Sequence, residues 1–313
     1  MDSQLQITDI INTLSSFAPR LFENQIKAAN YLKNLLSQNH IPFTIEEFKT
    51  TVPRIITASL LADGQSIACA STSLVSGTIN SNKIIVDSTA TYSESNLPNL
   101  NYNGKSDAIS RTSHYFVPSL AFSRTDLAKI QNAKTIKGEV IIEPTPHTSQ
   151  NILVGNLQNP KNIIFTHFDS LEGGAMDNAS GTAITLLSII QNPNFLTKNL
   201  FVLSSDEELS LEKPNYWGVG YRDFESRHLD LLETCQKIYI VDGLGLTPAH
   251  VHQEVIDEYF PILNIDKYLY KTFALSCTEE SQWAVYHSPQ DTTSNLNPKY
   301  LTDTLDLLNQ LLS

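Results

Sequence analysis

The sequence predicts an α/β protein: a three-layer αβα arrangement around a mixed, largely parallel central sheet, with a small β-rich lobe inserted. Three observations carry that prediction. After Gln150, short apolar runs alternate with helical stretches, the pattern of strands covered on both faces. Between about Thr50 and Thr145 the texture shifts to Ser, Thr, Asn and β-branched residues with several short strand signals. The chain has 313 residues, 41% of them hydrophobic, which is enough for one large domain with its own core.

Taken in order, residues 5–38 read as two helices. Ile7, Ile10, Ile11, Leu14 and Phe17 share one face, and Ile26, Ala29, Leu32, Leu35 and Leu36 share another. Pro42 stops that pattern, and 43–48 reads as a short strand. Further strands are expected at 55–61, 67–70, 83–86 and 139–142, with Asp63-Gly64 as the hairpin turn between the first two. Residues 88–113 read as a long polar loop. Buried strands follow at 162–165, 200–203, 237–241 and 283–286, separated by helices at about 181–190, 223–234 and 298–312. The expected organisation is a discontinuous α/β domain (1–49 and 146–313) interrupted by a β-rich subdomain (50–145).

Charge excludes some functions. Against 33 acidic residues stand only 21 basic ones, a net charge of −12. Nucleic-acid binders draw affinity from Lys and Arg on phosphates, so no nucleic-acid partner is expected, and an anionic membrane surface would repel the chain. No stretch approaches the roughly 20 apolar residues of a membrane helix. The first residues lack the basic start and apolar run of a signal peptide. Cys69, Cys235 and Cys277 are odd in number and far apart, which suits free thiols in a reducing compartment and a cytoplasmic location.

The chemistry-bearing residues follow the expected strands, where an open α/β sheet gathers its ligands. His167-Phe168-Asp169 comes after 162–165, Asp206-Glu207-Glu208 after 200–203, Asp242-Gly243 after 237–241, and His287 after 283–286. Gly174-Ala175-Met176-Asp177-Asn178 turns into a helix between the first two. Two histidines and at least three carboxylates on one edge form a nitrogen-and-oxygen set suited to zinc. Each fragment alone is weak. His-x-Asp is common by chance, and the pairs Glu46-Glu47 and Glu279-Glu280 have the ordinary reading of solvated faces. Only Glu207-Glu208 follows an apolar run. His250-x-His252 follows Pro248 in a polar stretch and reads as a surface pair; His114 and His147 lack acidic neighbours at useful spacing. The weight lies in the joint order.

That order, His-x-Asp, Gly-Ala-x-Asp-Asn, Glu-Glu, Asp-x-x-Gly and Tyr-His-x-x-x-Asp-Thr, resembles the co-catalytic di-zinc aminopeptidases. These are the bacterial leucyl-type enzymes, with glutamate carboxypeptidases and glutaminyl cyclases as relatives. The resemblance covers about 150–313 and, more faintly, the N-terminal helices. It implies that Asp177 bridges two zinc ions, with His167 and Asp242 completing one and Glu208 and His287 the other; a single zinc is the alternative. It further implies Glu207 as general base, Asp169 as the carboxylate that fixes the His167 tautomer, Tyr286 as a stabiliser of the tetrahedral intermediate, and a cis Asp177–Asn178 peptide. The implied activity is removal of an N-terminal residue from peptides, with no expectation about oligomeric state. Glutaminyl cyclisation and a non-catalytic metal-binding relative are the rival readings. The segment 50–145 faintly resembles a reduced protease-associated insert, through Phe116–Ser123, Gly138–Glu143 and Thr148–Ile152.

Departures from the family pattern sit around the glutamate pair. Gly-Leu-x-Gly-Ser usually follows it; here Leu209–Leu211 runs into Glu212-Lys213-Pro214-Asn215-Tyr216-Trp217-Gly218. The stretch between Asp242 and His287 is short and lacks a Ser-Asp-His/Phe motif.

Overall fold

The computed structural model describes residues 3–81, 84–89 and 96–313. In chain order, the helices are α1 (Ser3–Ser15), α2 (Phe22–Gln38), α3 (Leu127–Asn132), α4 (Gly181–Gln191), α5 (Val219–Arg227), α6 (Leu229–Thr234), α7 (Ile256–Tyr259), α8 (Glu279–Gln282) and α9 (Pro298–Leu312). The strands before the first βα unit are β1 (Thr44–Ala62), β2 (Gln65–Ile67), β3 (Cys69–Ser71), β4 (Gly77–Ile79), β5 (Ile84–Asp87), β6 (Asn99–Tyr102), β7 (Ser119–Phe122) and β8 (Ile136–Gly155). The strands after them are β9 (Asn162–His167), β10 (Asn199–Ser204), β11 (Lys237–Val241), β12 (His250–His252) and β13 (Thr272–Ser276).

Two compact units emerge: 1–50 with 147–282 and 291–313, and 51–146 with 283–290. In the first, strand order runs β12-β13-β11-β9-β10-β8. The neighbours β13, β11, β9 and β10 are parallel, while β12 and β8 pair antiparallel at either side. Helices cover both faces. On one, α5 and α6 bury Tyr221, Phe224, Leu231 and Leu232 against Phe165, Val202 and Ile240. Phe165 meets the rings of Tyr221, Phe224 and Phe260 at centroid distances of 5.4, 5.1 and 4.6 Å. Truncating such a residue to Ala costs about 3–5 kcal/mol, and it stands two positions before His167. On the other face lie α1, α4 and α9, which touch one another. Helix α9 starts cleanly because Asn297 accepts from Lys299 N and Pro298 occupies the first turn.

In the second unit, β3-β7-β6-β5 form a four-stranded sheet, parallel from β7 to β5. Its apolar core holds Leu100, Leu120, Phe122 and Val140. Its Ser/Thr/Asn texture is buried as well: Asn101 Nδ2 donates to Thr72 Oγ1 at 2.8 Å and to Asn99 Oδ1 at 3.0 Å.

Several expectations change. The strands at 43–48 and 55–61 are one continuous strand, β1, whose hairpin at Asp63-Gly64 pairs Ala62 with Gln65. Residues 88–113 are no uninterrupted loop, since β6 crosses them: its Asn side chains find buried partners, which a polar reading does not anticipate. The expected strand at 83–86 begins at Ile84; Lys83 lies outside the described residues. Residues 283–286 form a turn, with Trp283 and Tyr286 rings packed edge-on at 5.3 Å. The strand beside β11 is instead β13, an equally apolar run that periodicity cannot rank above it. On α2 the buried face is Gln25, Ala28, Ala29, Leu32 and Leu36, while Ile26 is 44% exposed. His228 splits the expected 223–234 helix into α5 and α6. No helix among the described residues is long and apolar enough to cross a membrane.

Candidate metal centre

Register brings the first unit's candidate residues level. In β9 and β10, His167 pairs with Ser204, so the turn after Ser204 delivers Asp206, Glu207 and Glu208 beside His167. In β11, Ile240 pairs with Phe165, and Asp242, two residues further, falls level with His167. Parallel neighbours share a carboxyl end, which is why residues distant in sequence meet here.

Asp177 arrives differently, on a turn of π-helix (Ala175–Ser180) that enters α4 after a left-handed Gly174. Its main chain is held at each step. Asp291 accepts from Met176 N at 2.7 Å and Asp177 N at 3.1 Å. Asn178 Nδ2 donates to Thr166 Oγ1 and to Val241 O at 3.2 and 3.0 Å, tying the turn to β9 and β11. The Asp177–Asn178 peptide is cis.

The side chains converge. His167 Nε2 stands 3.2 Å from Asp177 Oδ1 and 3.5 Å from Asp242 Oδ1. Its Nδ1 is 3.4 Å from Asp169 Oδ1, and the other oxygen of Asp169 accepts from Glu208 N at 2.9 Å. His167, Asp177 and Glu208 each offer one ligand atom, all within 4.8 Å of one another. Among the described residues, His167 Nδ1, Asp169 Oδ1 and Asp242 Oδ1 are buried without a hydrogen bond.

Burial and mutual repulsion set the proton affinities. Burial, with Glu208, Asp169 and Asp242 adding to it, pushes Glu207 well above the usual carboxylate range despite His167 beside it. Burial also raises Asp242, and pushes Asp206 and Asp291 up to about 7. His167 goes the other way: burial disfavours its cation, but Asp242, Asp169 and Asp177 outweigh that and raise it well above normal. Acids this crowded stay charged together only with a cation among them.

The donor set fits a divalent metal. A tetrahedral site with bonds of about 2.0 Å has donors about 3.3 Å apart, and His167 Nε2 lies 3.2 and 3.5 Å from its two carboxylate neighbours. One imidazole nitrogen with carboxylate oxygens suits zinc better than magnesium or calcium, which favour oxygen alone.

Tyr286 and His287 lie in the second unit. Their rings stack at 3.7 Å, and His287 Nδ1 donates to Arg111 O at 3.1 Å, which places its ring proton on Nδ1. His250 and His252 form a ring pair at 4.8 Å on edge strand β12; His250 is exposed as the surface reading expects, whereas His252 is half-buried with Nε2 2.8 Å from Ser276 Oγ.

Three contributors had no role in the sequence reading. Asp291 lies inside the Tyr-His-x-x-x-Asp-Thr motif, so the sequence carries a signal for it. Asp206, with φ of +49°, accepts from Gln25 Nε2 at 2.7 Å, and Gln25 in turn meets His147 Nε2 at 2.5 Å. Arg20 carried no signal: a lone arginine after Pro19 looks like any surface residue, yet it is fully buried against this site.

No family model matches the sequence, and no curated protein matches it. Solved structures do share its fold. BSAP, a zinc aminopeptidase from Bacillus subtilis, is 16% identical with a TM-score of 0.70, over 98% of this chain and 93% of that one. A peptidase M28 precursor from Shewanella amazonensis is 15% identical with a TM-score of 0.71, over 99% and 93%. The glutaminyl cyclase of Porphyromonas gingivalis is 10% identical with a TM-score of 0.56, over 100% and 99%.

Proposed function

We propose that this chain is a zinc-dependent exopeptidase, in the first instance an aminopeptidase that removes the N-terminal residue of peptides. The observation that carries the reading is the meeting of His167 Nε2 with Asp177 and Asp242, beside Glu208, at one end of β9, β10 and β11. Those four residues would hold zinc, and Asp169 would keep the imidazole oriented from its far nitrogen. Bound zinc supplies Lewis acidity and lowers the pKa of water to about 7.

The remaining work belongs to Glu207. Glu207 is 8% exposed and burial raises its proton affinity, which suits a group that takes a proton and gives it back. In this reading Glu207 removes a proton from the attacking water and delivers it to the departing amine. The loop from Ser210 to Gly218 anchors the residue: Gly218 N donates to Glu207 O at 2.5 Å, and Val219 N donates to Asp206 O at 3.1 Å.

Glutaminyl cyclisation is the second reading, favoured by the near-complete mutual coverage with a glutaminyl cyclase fold. Here Glu207 would instead move a proton from the substrate's α-amine to its leaving ammonia. Zinc analysis with paired assays on a leucyl-anilide and an N-terminal glutaminyl peptide separates the two. Absence of bound zinc after equilibration with the metal would end both. The ligand role that the sequence resemblance gives His287 is a separate expectation: His287→Ala should lower the zinc content per chain. The three free cysteines support a reducing, cytoplasmic setting.

A further inference from the structure

Arg20 is a fully buried guanidinium outside every motif in the sequence. Its Nε donates to Phe168 O at 2.6 Å, and its Nη2 to Asp169 O at 3.2 Å and Gly174 O at 2.9 Å. Its backbone N donates to Ser170 Oγ at 3.2 Å. Among the described residues, Nη1 carries no hydrogen bond. The loop it grips joins His167 to the turn that bears Asp177. One side chain therefore ties the start of that loop to its end.

Two roles suit such a residue, and they predict opposite signs. As a counter-charge, Arg20 relieves the repulsion among Asp169, Asp291, Glu208 and Asp177, all of which act on its charge. A cation there competes with a metal, so removing it should tighten zinc binding. As a geometric staple, Arg20 fixes the spacing between two ligands, so removing it should weaken zinc binding. The hydrogen bonds decide between them, because all three from the guanidinium go to main-chain carbonyls.

We propose that Arg20 is a positioning residue, which sets the separation of His167 and Asp177 and through it the affinity of the centre for zinc. The proposal rests on the zinc reading above. Arginine's planar fork can reach both ends of the loop, whereas the single ammonium of lysine cannot span them. The loop closes tightly on the fork. Gly174 has φ of +66°, and a Cβ there would fall 2.4 Å from Ser170 Cβ and 2.9 Å from Arg20 Nη1. Glycine meets both demands.

The test is zinc titration of the full chain, stripped by chelation, in competition with a chromophoric chelator, with Tm measured before and after zinc. The variants are Arg20→Lys, Arg20→Gln and Gly174→Ala. In each, the zinc Kd should rise by roughly ten- to a hundredfold, as for lost partners of metal ligands, and the zinc-induced rise in Tm should shrink. Arg20→Lys should not restore affinity. Wild-type or tighter zinc binding in Arg20→Gln, or full rescue by lysine, overturns the proposal. So does a fall in Tm that is equal with and without zinc. Should the Arg20 variants not fold, Gly174→Ala keeps the guanidinium and carries the same expectation; unchanged affinity there overturns it equally. A wild-type chain that binds no zinc defeats the zinc reading itself, an outcome distinct from wild-type binding with unaffected variants.

Discussion

Two regions of the first unit bury charge, and they do it in opposite ways. On α5, Glu225 is 2% exposed and accepts from Leu263 N at 2.7 Å, and from Asn264 N and Nδ2 at 2.9 Å each. Arg222 nearby donates to the carbonyls of Asn215, Trp217 and Pro261, and Lys271 donates to those of Glu233 and Cys235 at the end of α6. Each of these ions is completed by main chain. Around the carboxyl ends of β9 and β11, by contrast, Asp177 Oδ1 and Asp242 Oδ1 stand 3.2 and 3.5 Å from His167 Nε2, and Asp242 Oδ1 is buried without a hydrogen bond. The first arrangement pins loops. The second presents lone pairs to a common point, at a cost in desolvation that only a ligand offsets.

That contrast can be broken by experiment. The largest effect is expected for Glu207→Gln: turnover should fall by about 10²–10⁴-fold with zinc content unchanged. Retained turnover removes Glu207 from the proton-transfer role. Chelation comes next. If zinc stands at a thousand times its Kd, removing it should lower stability by about 4 kcal/mol, read by urea unfolding; an unchanged midpoint refutes the centre. Glu225→Ala should cost about 1–3 kcal/mol, because it takes the acceptor from two part-buried backbone N–H groups, yet leave zinc affinity within experimental error. A large loss of zinc affinity there would show that the two regions are coupled. Smallest is Asp242→Asn in the zinc-free chain. It should stabilise by about 1 kcal/mol, since burial and then Asp177 disfavour the charged form of Asp242 by more than His167 favours it, while weakening zinc binding. Destabilisation of the zinc-free chain would show that Asp242 is there for structure.

Much of the centre was legible early because strand ends are marked in sequence by a change from apolar to polar. His167, Glu207, Glu208 and Asp242 each follow such a boundary, and β11 has the bounds expected of it. The same signal misled at 283–286, where four apolar residues close a turn by ring packing. It was silent at β6, whose asparagines read as loop until buried partners are found.

By itself, then, the sequence determined the alternation of strand and helix, the order of the candidate metal-binding residue types and a net charge of −12. These are local properties, written in periodicity and in residue chemistry. Tertiary structure alone decided which strands are neighbours, and so which carboxylates meet His167. It also decided that Asp291 caps the turn bearing Asp177, and that Arg20, 147 residues before His167 in the chain, grips the loop between His167 and Asp177. Contacts at that separation leave no periodic trace in one chain, because nothing local selects them.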